Sequence, residues 1–225
     1  MDARRLSNLR RRHVLTVCAA AVLAAALLSG CGSSTTSPSA PGSVTRRVVV
    51  LGDSLAVSPS NADAFPARLQ ARIDGAGLNW KVTNASVNGD TTADALRRFT
   101  PLLTDDVSIL VLELGANDGL QGADISIIER NLSTIIEAAR ARNIRVLLAG
   151  METPPTRGFD YSIAFHNLFP ALAQRYGIPL VPFLLTGVVL NPEFNGPDLV
   201  HPNAAGAQRI ADTVWGYLEP MLRSP

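Results

Sequence analysis

The sequence predicts an α/β fold with a mainly parallel sheet covered on both faces, and three observations carry that expectation. Apolar runs of strand length alternate with helical patterns along the chain, the order of β-α-β units. The runs are nearly continuous, as in Val48-Val49-Val50 and 107–114, which is how strands buried on two sides read. No internal repeat breaks the order. The 225 residues, 47% hydrophobic and 17% charged, suit one core and are too apolar for a disordered chain.

The elements follow in order. Residues 47–51 form a β-branched strand. Residues 63–74 place Phe65, Leu69 and Ile73 at helical spacing. Residues 80–84 are a short alternating strand. Residues 92–103 read as a helix that Thr91 or Thr92 caps. Residues 107–114 are the third strand. Residues 124–142 are a long amphipathic helix with Ile127, Ile128, Leu132, Ile135 and Ile136 on one face. Residues 145–149 are a strand, 152–157 a Pro-rich loop, and 160–175 a helix despite Pro170. A short strand at 180–183 and a closing helix at 203–218 complete the series.

The first 43 residues stand apart from this pattern. Five arginines and one acid fall in residues 1–13, and residues 14–28 are apolar except Thr16. That core fits a signal peptide and is shorter than the roughly 20 residues of a membrane-spanning helix. It ends on Leu28-Ser29-Gly30-Cys31, which resembles a bacterial lipobox. The resemblance implies cleavage after residue 30, lipid on Cys31, and a domain division of 1–30, 31–43 and 44–225. The chain would then sit on the cell envelope, tethered through its lipid to the membrane. The run Arg11-Arg12-His13-Val14-Leu15 also resembles a twin-arginine export signal, without the usual preceding Ser or Thr. Residues 32–43 contain only Gly, Ser, Thr, Pro and Ala and read as a flexible tether.

Without residues 1–30 the side-chain charge is about −3, which disfavours nucleic acid as a partner. Cys18 leaves with the leader and Cys31 is expected to carry lipid, so no thiol nucleophile is expected. No metal-ligand spacing and no phosphate-binding glycine loop is present, and neither metal nor cofactor is expected.

In a parallel α/β sheet, reactive groups gather beyond the carboxyl ends of the strands. Gly52-Asp53-Ser54-Leu55 follows the first strand, and 84–90 (NASVNGD) the second. Gly115-Ala116-Asn117-Asp118 follows the third, and Asp198-Leu199-Val200-His201 stands near the C-terminus. These turns offer a hydroxyl, tight-turn glycines, an amide, a carboxylate and an imidazole, a set able to perform acyl transfer. Past the leader only His166 and His201 remain, and His166 lies mid-helix as a surface or partly buried residue. His201 stands three residues after a carboxylate that would fix its tautomer. Taken singly these signals are weak. Serine after a strand often caps a helix, and Asn117-Asp118-Gly119 reads as an ordinary turn. Their joint placement at successive strand ends carries the argument. Glu113 reads as a hydrogen-bonded structural carboxylate.

The four blocks, in this order, resemble the SGNH/GDSL hydrolase family over residues 46 to about 220. Within it the chain is similar to the bacterial arylesterase, acyl-CoA thioesterase and lysophospholipase group, through 84–92, 112–122, 179–185 and 201–206. The resemblance implies a flavodoxin-like, three-layer α/β/α sandwich on a five-stranded sheet. It implies Ser54 as nucleophile, His201 as base and Asp198 as its orienting carboxylate. The backbone N–H groups of Ser54 and Gly89 and the Asn117 amide would form an oxyanion hole. At residue 89, glycine lets the backbone approach substrate with no Cβ in the way.

Two features depart from the group. Ala56-Val57-Ser58-Pro59-Ser60 stands where small residues, Gly and an aromatic usually follow the nucleophile, and Glu152 is atypical in its loop. Met151, Pro154, Tyr161 and Phe165 are expected to form a pocket wall. The α/β-hydrolase elbow is excluded because Ala56 occupies its second glycine position. The expected activity is hydrolysis of acyl, aryl or lysophospholipid (thio)esters through an acyl-enzyme. A carbohydrate O-deacetylase is the alternative enzyme, and a catalytically silent envelope-binding lipoprotein the alternative outside catalysis.

Overall fold

The computed structural model describes residues 46–224, so the expected leader, Cys31 and the tether lie outside the described residues. Five parallel strands are ordered β2-β1-β3-β4-β5. They are β1 (Arg46–Gly52), β2 (Trp80–Asn84), β3 (Val107–Glu113), β4 (Arg145–Ala149) and β5 (Leu180–Val181). The helices are α1 (Phe65–Gly75), α2 (Thr92–Arg98), α3 (Ala116–Gln121), α4 (Ile125–Arg140), α5 (Phe159–Tyr176) and α6 (Ala204–Arg223). α1 packs with α6 on one face, and α4 packs with α2 and α5 on the other. This is the three-layer, flavodoxin-like arrangement expected from the resemblance. The strand order reverses between β1 and β3, where sheets of this kind open a crevice.

Local chemistry sets the boundaries. Val48–Leu51 and Ile109–Leu112 are completely or almost completely buried, which is why their runs lack alternation. Pro66 opens the first turn of α1. Thr91 and Asp94 form a reciprocal capping box on α2, and Asp124 and Asn203 cap α4 and α6. Gly177, at φ 60°, ends α5 in the left-handed region.

Four expectations needed correction. The helix foreseen over 92–103 stops at Arg98, and a separate 3-10 turn follows at Thr100–Leu102, because Pro101 has no N–H with which to continue the ladder. The last strand shrinks to Leu180–Val181 because Pro182 cannot donate. α6, by contrast, runs through Pro220 to Arg223. Ile127 is exposed and falls off the buried face of α4, which Ile128, Asn131, Leu132, Ile135, Ile136 and Ala139 form.

Candidate active site

Ser54 begins a 3-10 turn directly after β1. Asp53 caps the turn by accepting the Leu55 N–H at 3.0 Å. The preceding residue has to be small, because a Cβ on Gly52 would stand 2.1 Å from Glu113 Oε2 on the neighbouring strand. Glu113 in turn accepts the Asp53 N–H at 3.2 Å. The Ser54 turn therefore rests on a buried carboxyl that projects from β3.

His201 arrives from the other end of the chain. Its Nε2 stands 2.9 Å from Ser54 Oγ, and its Nδ1 stands 2.6 Å from Asp198 Oδ2. Asp198 Oδ1 accepts the N–H groups of Val200 and His201, each at 3.0 Å. Those bonds, led by the imidazole, hold the Asp198 carboxyl well below the usual carboxylate range. The loop closes on itself. Gly196 N–H donates to His201 O, and Asn203 donates to Glu193 O and Asn195 O. Gly206 admits the loop at the start of α6, since a Cβ there would lie 1.9 Å from Phe194 O.

Gly89 and Asn117 face the same place. A cavity of about 470 Å³ is lined by Ser54, Ser58, Asn88, Gly89, Asn117 and His201. Gly89 sits at φ 78° with open space where a Cβ would point, so conformation as well as approach calls for glycine. Asn117 lies in the first turn of α3, not in the ordinary turn its sequence suggested. Its neighbour Asp118 anchors that helix by accepting the Thr92 N–H at 2.8 Å and the Thr92 hydroxyl at 2.6 Å. A hydroxyl, an imidazole and a carboxylate in series, beside an amide and a glycine backbone, can transfer a proton and receive an oxyanion.

The pattern of the GDSL-like lipase/acylhydrolase family matches residues 50–209. The chain belongs to that family. Esterase TesA of Pseudomonas aeruginosa is 36% identical over 178 residues, covering 78% of this chain and 89% of the relative. Thioesterase 1/protease 1/lysophospholipase L1 of Escherichia coli K12 is 35% identical over 178 residues, covering 78% and 84%. Among solved structures, the psychrotrophic esterase EstA from Pseudoalteromonas gives a TM-score of 0.74 at 26% identity, covering 80% of this chain and all of that one.

This GDSL chain keeps its carboxylates in two contrasting environments. Asp53 is fully buried, and burial pushes its carboxyl up to about 6, against the pull of the Leu55 N–H and of His201. Glu113 is raised further by complete burial and by the Asp53 charge. One of its oxygens is buried without a partner, which suits a neutral carboxyl. Sequence reasoning anticipated a structural role for Glu113. It did not foresee the stack of two acids beneath Ser54, because the partners lie 60 residues apart.

The expected pocket wall is corrected. Met151 and Phe165 are core residues and line no part of the cavity. Phe165 lies under α3, where it fills the space a Cβ on Gly119 would need, stacks on Tyr161 and meets Phe169 edge-on. The Tyr161 hydroxyl donates to Ala123 O at 2.9 Å, and Pro154 is exposed on the loop. These aromatics turn inward because α3 covers them. The cavity instead uses Ser58 and Asn88, to which no role was given. Ser58 belongs to the segment that departs from the group's pattern, and that departure was the available signal. His166 pairs with Glu152 at 2.6 Å on the surface and is not among the residues that line the cavity. Among the described residues, no three His, Cys, Asp or Glu side chains converge as a metal site requires.

Proposed function

We propose that this protein is a serine esterase that hydrolyses carboxylic ester or thioester bonds of acyl, aryl or lysophospholipid substrates. The observation that carries the reading is the single imidazole bridging Ser54 Oγ and Asp198 Oδ2 at 2.9 and 2.6 Å. Ser54 Oγ attacks the acyl carbon while His201 Nε2 takes its proton. Asp198 holds the ring so that Nδ1 carries its own hydrogen toward the carboxylate. The oxyanion faces the N–H groups of Ser54 and Gly89 and the amide of Asn117. Protonated His201 returns its proton to the leaving oxygen or sulfur. An acyl-Ser54 ester remains, and water clears it by the same steps in reverse roles.

Family membership and the activities of the relatives support an ester hydrolase. The test is a p-nitrophenyl ester series of increasing acyl length, run on wild type and Ser54→Ala. The variant is expected to fold normally and lose about 10³-fold or more of kcat/KM. Undiminished turnover would overturn the mechanism. One observation favours a second reading, O-deacetylation of a carbohydrate. Three of the cavity's side chains, Ser58, Asn88 and Asn117, are small and polar, which suits a short acyl group and a hydroxyl-rich alcohol. Acetyl-only activity in the series selects it; a rise with chain length selects the lipid reading.

We also infer that the chain is a lipoprotein of the cell envelope, held by lipid on Cys31. Support comes from the basic segment, the apolar core and the Cys-terminated box of its first 31 residues. Labelled palmitate should enter the wild-type protein and not Cys31→Ala. Equal labelling of both rejects the anchor.

A further inference from the structure

The Asn117 amide has two hydrogens, and both are already engaged. Nδ2 donates to Asp53 Oδ2 at 3.1 Å and to the Asp90 carbonyl at 3.0 Å. An oxyanion that takes a hydrogen from this amide must displace one of those acceptors. The two are unequal. The Asp90 acceptor is a neutral carbonyl, whereas Asp53 offers a carboxylate oxygen, and charge-assisted bonds are roughly twice as strong. Asp53 is also the less able to move. It is fully buried, its Oδ1 accepts the Leu55 N–H, and its own N–H rests on Glu113.

We propose that Asp53 is the positioning residue for Asn117: its carboxylate keeps one amide hydrogen throughout the reaction while the other passes from the Asp90 carbonyl to the oxyanion. This rests on the reading of Asn117 as an oxyanion donor. The amide pivots about a fixed point that belongs to the nucleophile's own turn. The donor that follows β3 is thereby registered to the serine that follows β1. Asp90 releases its hydrogen without moving, because Arg98 grips its carboxylate and also the Ala85 carbonyl at 2.6 Å.

The arrangement requires a carboxylate specifically. Each Asp53 oxygen faces a donor, Leu55 N–H on one side and Asn117 Nδ2 on the other. Asparagine at 53 has one acceptor oxygen, so its NH₂ would confront one of those donors. Asp53→Asn keeps the size of the side chain and removes a desolvated charge, which offsets the mismatched donor, and chemical denaturation is expected to find the variant folded.

The experiment is a double-mutant cycle on kcat. Asp53→Asn should lower kcat by up to about 10²-fold with KM within about twofold, since the lost contact acts in the transition state. In an Asn117→Ala background the same substitution should cost about threefold or less, because no amide remains to be aimed. Equal losses in both backgrounds, or an unchanged kcat in Asp53→Asn, overturn the proposal.

A second measurement uses the wild-type chain. After diethyl p-nitrophenyl phosphate has phosphorylated Ser54, one Asn117 side-chain amide proton should shift in the ¹⁵N–¹H spectrum while its partner stays. Movement of both protons, or of neither, overturns the proposal. Failure of the reagent to react at Ser54, or full activity in Ser54→Ala, removes the esterase reading and this inference together. An additive cycle with an inactive Ser54→Ala removes this inference alone.

Discussion

The two sides of the active site hold the same residue type in opposite conditions. On the Ser54 side, Asp53 is fully buried, stacked on Glu113, and its carboxyl is raised to about 6. On the His201 side, Asp198 has a half-exposed side chain (51%), is fed by backbone N–H groups and the imidazole, and its carboxyl is lowered. Burial outweighs the pull of the Leu55 N–H and of His201 on the first; convergent donors lower the second. The Ser54 side is an extension of the core that borrows rigidity from the sheet. The His201 side is a loop that makes its own rigidity from local hydrogen bonds. Accuracy at the site is thus reached by two routes, and only one of them draws on the stability of the fold.

That contrast can be broken by substitution. His201→Ala should lower kcat/KM by about 10³-fold or more, and chemical denaturation should find its stability within about 0.5 kcal/mol of wild type. A large loss of stability would mean that the base loop is part of the core after all. Phe165→Ala should do the reverse. It empties the floor beneath α3, and denaturation should show a loss of about 3–5 kcal/mol. A neutral result would show that α3 and its Asn117 do not depend on that floor.

The smallest effect is a dependence of stability on pH. Asp53 binds its proton more tightly in the folded chain, at about 6, than at its ordinary value of 3.8. Stability should therefore fall as pH rises between these values, by an amount on the order of 3 kcal/mol, and Glu113 pulls the same way. Asp198 has the opposite sign. Its lowered carboxyl favours the fold above the ordinary carboxylate range, and that contribution disappears as pH falls below it. Urea titrations from pH 4 to 7 should show the decline in wild type and a flatter profile in Asp53→Asn. An identical profile in both would remove Asp53 as the cause.

The sequence was most legible where one residue type has one physical use. Val48–Leu51 had to be a doubly covered strand, and Ser54, Asn117, Asp198 and His201 stood at strand ends or in a Pro-bounded loop, where few structural roles need them all. It was least legible where a side chain's destination depends on distant partners. Phe165, on the helix that follows the Pro-rich loop, could line a cavity or lie under it, and the position of α3 decided the matter. Asn117 read as part of a turn because Asn, Asp and Gly are poor helix formers. Thr92, which bonds Asp118 across 26 residues, holds that short helix in place. The expected leader and Cys31 lie outside the described residues and are read from the sequence alone.

The hydrogen bond between Ser54 and His201 spans 147 residues. Ser54 stands in the turn that follows β1, and His201 in the loop before α6. During synthesis the hydroxyl therefore emerges long before the imidazole that activates it. On the proposed mechanism a nascent chain has no partial activity to release, and turnover begins only once the Ser54 turn and the His201 loop have met. Esterase activity is accordingly an assay of completed folding, and it should recover in step with the docking of α6 against α1 rather than with formation of the sheet.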